Sequence, residues 1–526
     1  MIFFSTLLLS AALVFLVQQR TTTLLTYFQQ EEYDGTRFVA SSRDVRLFDI
    51  RATAAVVLIT IAGFAGLPKA LSLIVLALVF VGIGYMERQY RYKKPLAKTQ
   101  RAMRIWRLAL VPLCVGALFV FIHALFAIVI LQLVPFALIG ANMILKPFQD
   151  RINEGFVDQA RTKLAALDPV RIGITGSFGK TTVKHMFAEI LETSGPVFYS
   201  PGSINTVLGH TRHIRQRLQY AHKYFVAEMG AYGIGSIKRL CDFIQPQYGI
   251  VTAVGDAHTE RFGSIQAIAQ AKSELAAEVC AAGGTMVLNV DVMQYAPFQA
   301  LKDTYGAQIV TVGTRDADVM IEATEIDGGS WSITLNSDDP RVPTLTFELP
   351  LIGDHNVMNA ALAVTLALLI DVDTADQIPF FTKTIAQIPH RLQKIDVPGS
   401  ALILDDAYNS NELGFMSAVS ALDKLAKHRG GRRILVTPGI AELGLEHDRV
   451  HARLGTYSGA LCDVIYVVNP SRIESFATTA NLETAEVIEV PTFYAARDAI
   501  AKTLTKDDVV LYENDLPDLL EEKRFL

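Results

Sequence analysis

Between Gly173 and Ile190 the chain reads GITGSFGKTTVKHMFAEI. These residue types suit one task, holding the outer phosphates of a nucleotide. Gly176 and Gly179 let the backbone turn so that its amide N–H groups face an anion, with Ser177 and Phe178 between them, and the helix that starts here adds its N-terminal dipole. Lys180 balances the outer phosphates, the Thr181 hydroxyl suits Mg²⁺, and Thr182 completes the helix start. The common form of this loop has a glycine five residues before its Gly-Lys pair. Ile174 stands there, and the nearer glycine is Gly176, so this loop is tighter.

Such a loop needs a strand to feed it and a helix to leave it. VRIGIT before it is β-rich and the residues after Lys180 are helical. Beyond Asp150, the runs RIGIT, YFVAEMG, YGIVTAVG and GTMVLNVD alternate with helical runs such as Ser264–Cys280, which predicts a parallel sheet covered by helices. Asp318–Leu349 reads as antiparallel, with VMIEATEI, a GGS turn and WSITLNS, and a helix follows over Val357–Leu369. ALILDDAYNSN near residue 401 opens a second α/β series, continued by RRILVTPG, CDVIYVV and DVVLYEND, with a boundary near Pro389–Gly399.

The first third differs. Half of the 526 residues are hydrophobic, mean hydropathy is +0.30, and most of the excess precedes Lys146. Five apolar segments stand out: Ile2–Val17, Ala52–Leu67, Ala70–Met86, Leu108–Phe121 and Ala124–Leu145, the last two readable as a bent hairpin around His123. A span needs about 20 mostly apolar residues, and these clustered runs predict a multi-pass membrane domain of about five spans. Arg88, Arg91, Lys93, Lys94, Lys98, Arg101, Arg104 and Arg107 lie between the third and fourth segments, and Arg20, Arg37, Arg43, Arg46 and Arg51 after the first. This bias puts both basic loops and the C-terminal part in the cytoplasm and the N-terminus outside. The basic loops set topology and could meet anionic lipid headgroups. The first segment lacks a basic start and reads as an anchor rather than a cleaved signal. A net charge of −5 gives no sign of nucleic-acid binding, and the well-separated Cys114, Cys241, Cys280 and Cys462 read as reduced thiols.

The tight loop and the stretches after it resemble the Mur ligase family. FVAEMGAYGIGSIKRLCDFIQPQYGIVTAVGDAHTERFGSIQAIAQAKSEL resembles its central ATP-binding domain, GDHNVMNAALAVTLAL its adenine-contacting segment, and PHRLQ, LDDAYNSN and PGIAELG the start of its C-terminal domain. The resemblance is nearest to the MurF branch and spans about residues 168–515. It implies an α/β protein with a P-loop parallel-sheet ATP-binding domain over 149–390 and a Rossmann-like domain over 391–526, both behind the transmembrane helical domain that the apolar runs place over 1–148.

It also implies a reaction. The γ-phosphate of ATP moves to a carboxylate, an amine attacks the acyl phosphate, and a tetrahedral intermediate collapses to an amide. Bringing two anions together demands concentrated positive charge. By resemblance, Lys180 holds the β- and γ-phosphates, Thr181 and Glu228 ligate one Mg²⁺, His258 binds a second, and Lys272 matches a lysine carried as a carbamate. Asn356 and Asn359 match residues near the adenine, where amides satisfy donor and acceptor alike, although Asn356 equally suits a helix cap. Arg391 matches an arginine that meets the γ-phosphate, and Asp406 the acid at the ribose. Tyr408, Asn409 and Asn411 would face the amine substrate, and Asn205 and Thr206 the acceptor carboxylate. Taken alone, Glu228 also reads as a surface strand end and Lys272 as a solvated helix lysine.

Two departures bear on substrate. Membrane helices occupy the place of the family's uridine-nucleotide-gripping domain, and LYENDLPDLL stands where the MurF branch has a Lys-Gly-Ser turn. The expected partners are a peptidyl carboxylate, conceivably lipid-linked, an amino acid or dipeptide, and membrane lipids. The alternatives are a ligase for another envelope polymer, resembling poly-γ-glutamate synthases, an ATP-binding membrane regulator, or a transporter. Retention of the implied second metal site argues against a regulator, and the lack of charge deep in the apolar runs against transport.

Overall fold

Uninterrupted apolar runs become helices up to residue 154, and alternating β-rich and helical runs build two sheets over residues 155–515; each stretch is a compact unit. The computed structural model describes residues 1–40, 47–89, 92, 95–255, 262–326, 329–408, 411–441 and 443–514. Of the basic residues expected to set topology, Arg43, Arg46, Arg91, Lys93 and Lys94 lie outside the described residues.

The helices of the first unit are α1 (Ile2–Gln30), α2 (Gly35–Ala40), α3 (Ile50–Phe64), α4 (Lys69–Gln89), α5 (Gln100–Gly116), α6 (Phe126–Gln132) and the start of α7 (Val134–Leu167). Side-chain caps start two of them: Asp49 accepts from the Ala52 amide and Thr99 from the Ala102 amide. α1 packs along α4, with α3 against α4 and α5 against α1. All five expected apolar segments are helical, but among the described residues three helices are long and apolar enough to cross a membrane, or four if the pair α6–α7, bent by 48°, counts as one. The 15 residues of α3 rise only about 22 Å, short of a bilayer core of about 30 Å.

α1 corrects one expectation. Arg20 was assigned to a loop after the first segment, yet the helix continues to Gln30 and buries it. Its Nη1 lies 3.1 Å from Glu87 Oε1, and Arg51 Nη2 reaches the same oxygen at 3.1 Å. Thr23 donates to Glu87 Oε2, and Asp49 stands 3.5 Å from Arg51. A charged pair can therefore lie inside an apolar bundle because its partners come from neighbouring helices.

The second unit holds β1 (Val170–Thr175), α8 (Lys180–Leu191), β2 (Val197–Tyr199), α9 (Val207–Arg217), β3 (Tyr224–Glu228), α10 (Ser236–Ile244), β4 (Tyr248–Val251), α11 (Ile265–Ala281), β5 (Thr285–Asn289), α12 (Ala296–Tyr305), β6 (Ile309–Gly313), β7 (Val319–Ile326), β8 (Ser330–Ser337), β9 (Leu345–Leu349) and α13 (His355–Ile370). These strands form one sheet in the order β2-β3-β1-β4-β5-β6-β7-β8-β9, parallel through β7 and antiparallel across β7, β8 and β9. The expected parallel-to-antiparallel change is thus present. α8 and α13 pack together on one face, where Phe187, Leu362 and Leu366 are fully buried.

The chain continues through α14 (Ile378–Thr382), β10 (Gln393–Ile395), β11 (Leu402–Asp406), α15 (Glu412–Arg429), β12 (Arg433–Thr437), α16 (His447–Leu461), β13 (Val464–Val468), α17 (Glu474–Ala480), β14 (Glu486–Val490), α18 (Phe493–Ile500) and β15 (Val509–Glu513). The second sheet runs β10-β11-β15-β12-β13-β14, all parallel except β10 against β11. Each of the four β-rich runs read after residue 400 is a strand here, namely β11, β12, β13 and β15.

Phe187→Ala should cost about 3–5 kcal/mol, the usual price of emptying an aromatic core position. A lowered midpoint in thermal unfolding of the detergent-solubilised protein checks this, and ATP affinity should fall with it because α8 carries the phosphate loop.

Candidate functional site

β1 ends at Thr175 in the centre of the first sheet, so the loop after it opens at the C-terminal edge of the strands, where ligands of such sheets sit. Gly176 and Gly179 take φ of +154° and +80°, conformations that side chains resist. A Cβ on Gly179 would stand 2.6 Å from Asn359 Oδ1, so the glycine also lets α13 approach the loop. The Ser177 amide donates to Ala253 O (2.8 Å), and the Ser177 hydroxyl exchanges hydrogen bonds with Gly255 (3.0 and 2.9 Å). Thr252 donates to Phe178 O. The loop is therefore braced by the residues after β4 before any ligand arrives. Lys180 folds back over it, donating to Gly176 O (2.6 Å) and Ser177 O (3.2 Å).

Glu228 closes β3, next to β1, and is 1% exposed. Thr181 Oγ1 donates to its Oε2 at 2.9 Å, and Lys184 Nζ lies 3.3 Å from the same oxygen. Glu228 is a buried acid within reach of the phosphate loop, so the surface-strand-end alternative is wrong. Lys184, a full helical turn after Lys180, went unnoticed in the sequence. It is fully buried, ion-paired to Glu228 and bonded to Gly202 O. The four-residue spacing from Lys180 on a helix that must bury one face was the available signal. His210 was also missed. Its Nε2 lies 2.7 Å from Glu228 O, and burial pushes its pKa down to about 4, so a neutral ring fixes the strand end.

Lys272 on α11 is 4% exposed. Burial first, and the nearby Lys180 second, depress its pKa well below the ordinary lysine range. A solvated surface lysine would show neither effect. Lys180 and Lys184 are lowered as well, chiefly by burial, with Glu228 opposing and Arg391 reinforcing the shift. Lys180 and Lys184 thus sit within the field of Glu228, with Arg391 acting on both and Lys272 beside Lys180. The hydroxyl of Thr181 and the carboxylate of Glu228 are hard oxygen donors that suit Mg²⁺, an ion usually held by one or two protein oxygens plus phosphate. Among the described residues no group of three His, Cys, Asp or Glu side chains could hold a metal by itself.

Beside the loop, a cavity of about 200 Å³ is lined by Thr182, Asn356, Arg391, Pro350, Ile352 and Leu392, among others. Asn356 Nδ2 donates to Ile352 O (2.7 Å) and Asn359 Nδ2 to Asn356 Oδ1 (3.3 Å). Asp354, not Asn356, occupies the N-cap of α13, which removes the capping alternative. The Arg391 guanidinium lies 4.3 Å from the centre of the Tyr408 ring. Asp406 accepts from the Leu392 amide (3.0 Å) and pairs in register with Glu513 on β15. Burial, opposed by that amide bond and by Arg391, pushes its pKa up to about 6.

The remaining candidates have structural employment. Thr206 caps α9 and Asn411 caps α15, each accepting from an amide three residues on. The Asn205 backbone carbonyl accepts from the Gly230 amide (2.9 Å), and its side chain accepts from Tyr232 (3.0 Å), which ties it to the turn after Glu228. His258 and Asn409 lie outside the described residues.

Comparison with known proteins agrees with this geometry. Residues 174–367 match the Mur ligase middle domain, and residues 390–512 match the Mur ligase glutamate ligase domain. The chain is 29% identical to the UDP-N-acetylmuramoyl-tripeptide–D-alanyl-D-alanine ligase of Escherichia coli over 60% of its own length and 70% of that protein. It is 30% identical to the ligase of the same name from Synechocystis, over 65% and 71%. A crystal structure of MurF from Acinetobacter baumannii aligns with a TM-score of 0.58 at 26% identity, over 69% of this chain and 77% of that one.

Asp406 makes stability depend on pH. In the folded protein it keeps its proton to about pH 6, whereas unfolded it loses it near 3.8. Folding therefore takes up a proton between these values, so stability falls as pH rises through that window and levels off above it. Asp406→Asn should flatten this slope in denaturant melts taken from pH 4 to pH 7.

Proposed function

We propose a substrate pair for this chain, which belongs to the Mur ligase family and is an ATP-dependent, ADP-forming ligase of peptidoglycan-precursor synthesis. The acid is the carboxylate of a muramyl-type peptide carried on a membrane lipid, and the amine is an amino acid or dipeptide. The observation that carries this reading is the pairing, on one chain, of a cation-rich nucleotide site with a unit holding three helices long and apolar enough to cross a membrane. The enzyme would act at the cytoplasmic face of the cell membrane.

In this reading ATP lies with its phosphates on the amides of Gly176–Lys180 and its adenine in the cavity beside Asn356 and Asn359, with the ribose toward Asp406. Lys180 exchanges its two carbonyl contacts for the β- and γ-phosphates. Mg²⁺, held by Thr181 and Glu228 with the phosphates, would neutralise charge that builds during transfer. Arg391 stands where it can meet the γ-phosphate while stacked on Tyr408. The substrate carboxylate oxygen bonds to the γ-phosphorus and ADP departs. The amine nitrogen then bonds to the acyl carbon, inorganic phosphate leaves, and the nitrogen loses a proton. Burial and the nearby Lys180 lower the Lys272 pKa and so favour its neutral form, which would add to CO₂ with loss of one proton to give a carbamate anion. Tyr512, Glu513 and Asn514 stand where the MurF branch has a Lys-Gly-Ser turn, so the amine's own carboxylate must be gripped differently from the way that turn would grip it.

Purified protein with ATP and Mg²⁺ should release phosphate only when a lipid-linked muramyl peptide and an amine are both present. Release with UDP-linked peptide and not with the lipid-linked one overturns the lipid assignment, and ATP turnover indifferent to every acceptor overturns ligation. Lys180→Ala should lower the rate about a hundredfold or more, as loss of a preorganised charge at transferring phosphate does. In ¹³C-bicarbonate, a carbamate carbon signal should appear in the parent protein and be missing from Lys272→Gln.

A further inference from the structure

The first unit carries a polar cluster that the ligase chemistry does not use. Arg101 and Arg104 lie on the first two turns of α5, and Lys146 lies on α7, around a shallow depression also lined by Asn142, Phe148 and Gln149. The arginines are held in place. Arg101 Nη2 donates to Asn142 Oδ1 (3.1 Å), and its guanidinium stands 4.1 Å from the centre of the Tyr33 ring. The buried Asn142 is itself fixed by a bond to Tyr33 O (3.1 Å). Arg104 lies over the Phe148 ring at 5.5 Å and bonds Gln100. Asp150 attracts Arg101, yet among the described residues no carboxylate forms an ion pair with Arg101, Arg104 or Lys146. Arg20, Arg37 and Arg51 of the same unit do form ion pairs. Two arginines held in place and an exposed lysine, with no ion pair to any of them among the described residues, surround one depression and suit a phosphate.

Their surroundings say what carries that phosphate. Both helices change from charged to apolar at this level. From Arg104, the same face of α5 continues through Leu108, Val111 and Val115, which are 37, 62 and 59% exposed. From Lys146, α7 presents Met143 and Phe136, 68 and 55% exposed. A soluble nucleotide or free phosphate would gain nothing from these apolar stripes, whereas a lipid would lay its chain along them.

We propose that Arg101, Arg104 and Lys146 form a receptor for the phosphate or diphosphate of a single membrane-anchored lipid, with Asn142 as the positioning residue. This rests on the lipid-linked reading above and names the part of that substrate the protein grips. Arginine is suited to it, because its planar fork can take two phosphate oxygens at once.

Native mass spectrometry and fluorescence titration of the full-length protein in phosphatidylcholine nanodiscs test this, with a long-chain polyprenyl diphosphate as probe. Binding should weaken about 10- to 100-fold in Arg101→Gln and in Arg104→Gln, the loss expected for one charge-assisted bond. Arg104→Lys should recover part of it. Lys146→Gln, at an exposed position, supplies a variant least prone to misfolding, and unfolding midpoints identify any variant that has lost its fold. Equal competition by inorganic pyrophosphate would show a free anion as the occupant and overturn the proposal. So would equal binding of phosphatidylglycerol, or polyprenyl diphosphate binding unchanged in all three glutamine variants. If the probe binds and the variants weaken it, but ligation proceeds only with UDP-linked acceptors, the receptor stands and the lipid-linked substrate falls.

Discussion

One buried carboxylate organises the catalytic half of this protein. Glu228 ends the strand beside the phosphate loop, almost wholly out of water, and accepts from the Thr181 hydroxyl and the Lys184 ammonium. An ionised acid in such a place is tolerable only while those partners stay. Removing one side of a buried pair of this kind costs about 3–5 kcal/mol because the other charge is left stranded. The carboxylate thus fastens α8 to β3, and α8 in turn fixes where the loop turns and where Lys180 begins. The neutral ring of His210 holds the same strand end from behind.

Around that acid the charges do not balance. Lys180, Lys184, Lys272 and Arg391 repel one another, and each lysine is easier to deprotonate than it would be in water. Such crowding is unfavourable until a polyanion settles among these groups. Arg391 comes from the segment leading into the second sheet, while the lysines and Glu228 belong to the first. The cavity beside the loop is lined from both parts, by Thr182 and Asn356 on one side and by Arg391 and Leu392 on the other.

Much of this was legible in the chain. The phosphate loop, the alternation of β-rich and helical runs, the antiparallel excursion at β7–β8 and the four strands after residue 400 follow from local pattern, because glycine placement and hydrophobic period act over a few residues. Lys184 was legible only in part, since its four-residue spacing from Lys180 marks the buried face of the helix but nothing local names the acid 44 positions away that it meets. Asn411 and Thr206 carry a second task that was not read from their types, since each caps a helix start. The short strands β2, β10 and β14 escaped because their partners, rather than their composition, make them strands. Segment ends in the first unit moved for a similar reason. Arg20 looked like a boundary, and only the approach of α4 with Glu87 allows α1 to run past it.

That approach has a consequence for biogenesis. A lone α1 would carry an uncompensated guanidinium in the middle of an apolar rod, and a lone α4 an uncompensated acid near its end. Neither helix is a comfortable guest in hydrocarbon until the other is beside it, with α3 adding Arg51 to the same knot. The early helices must therefore mature as a set, and a nascent chain stalled after α1 would advertise its incompleteness as a bare positive charge.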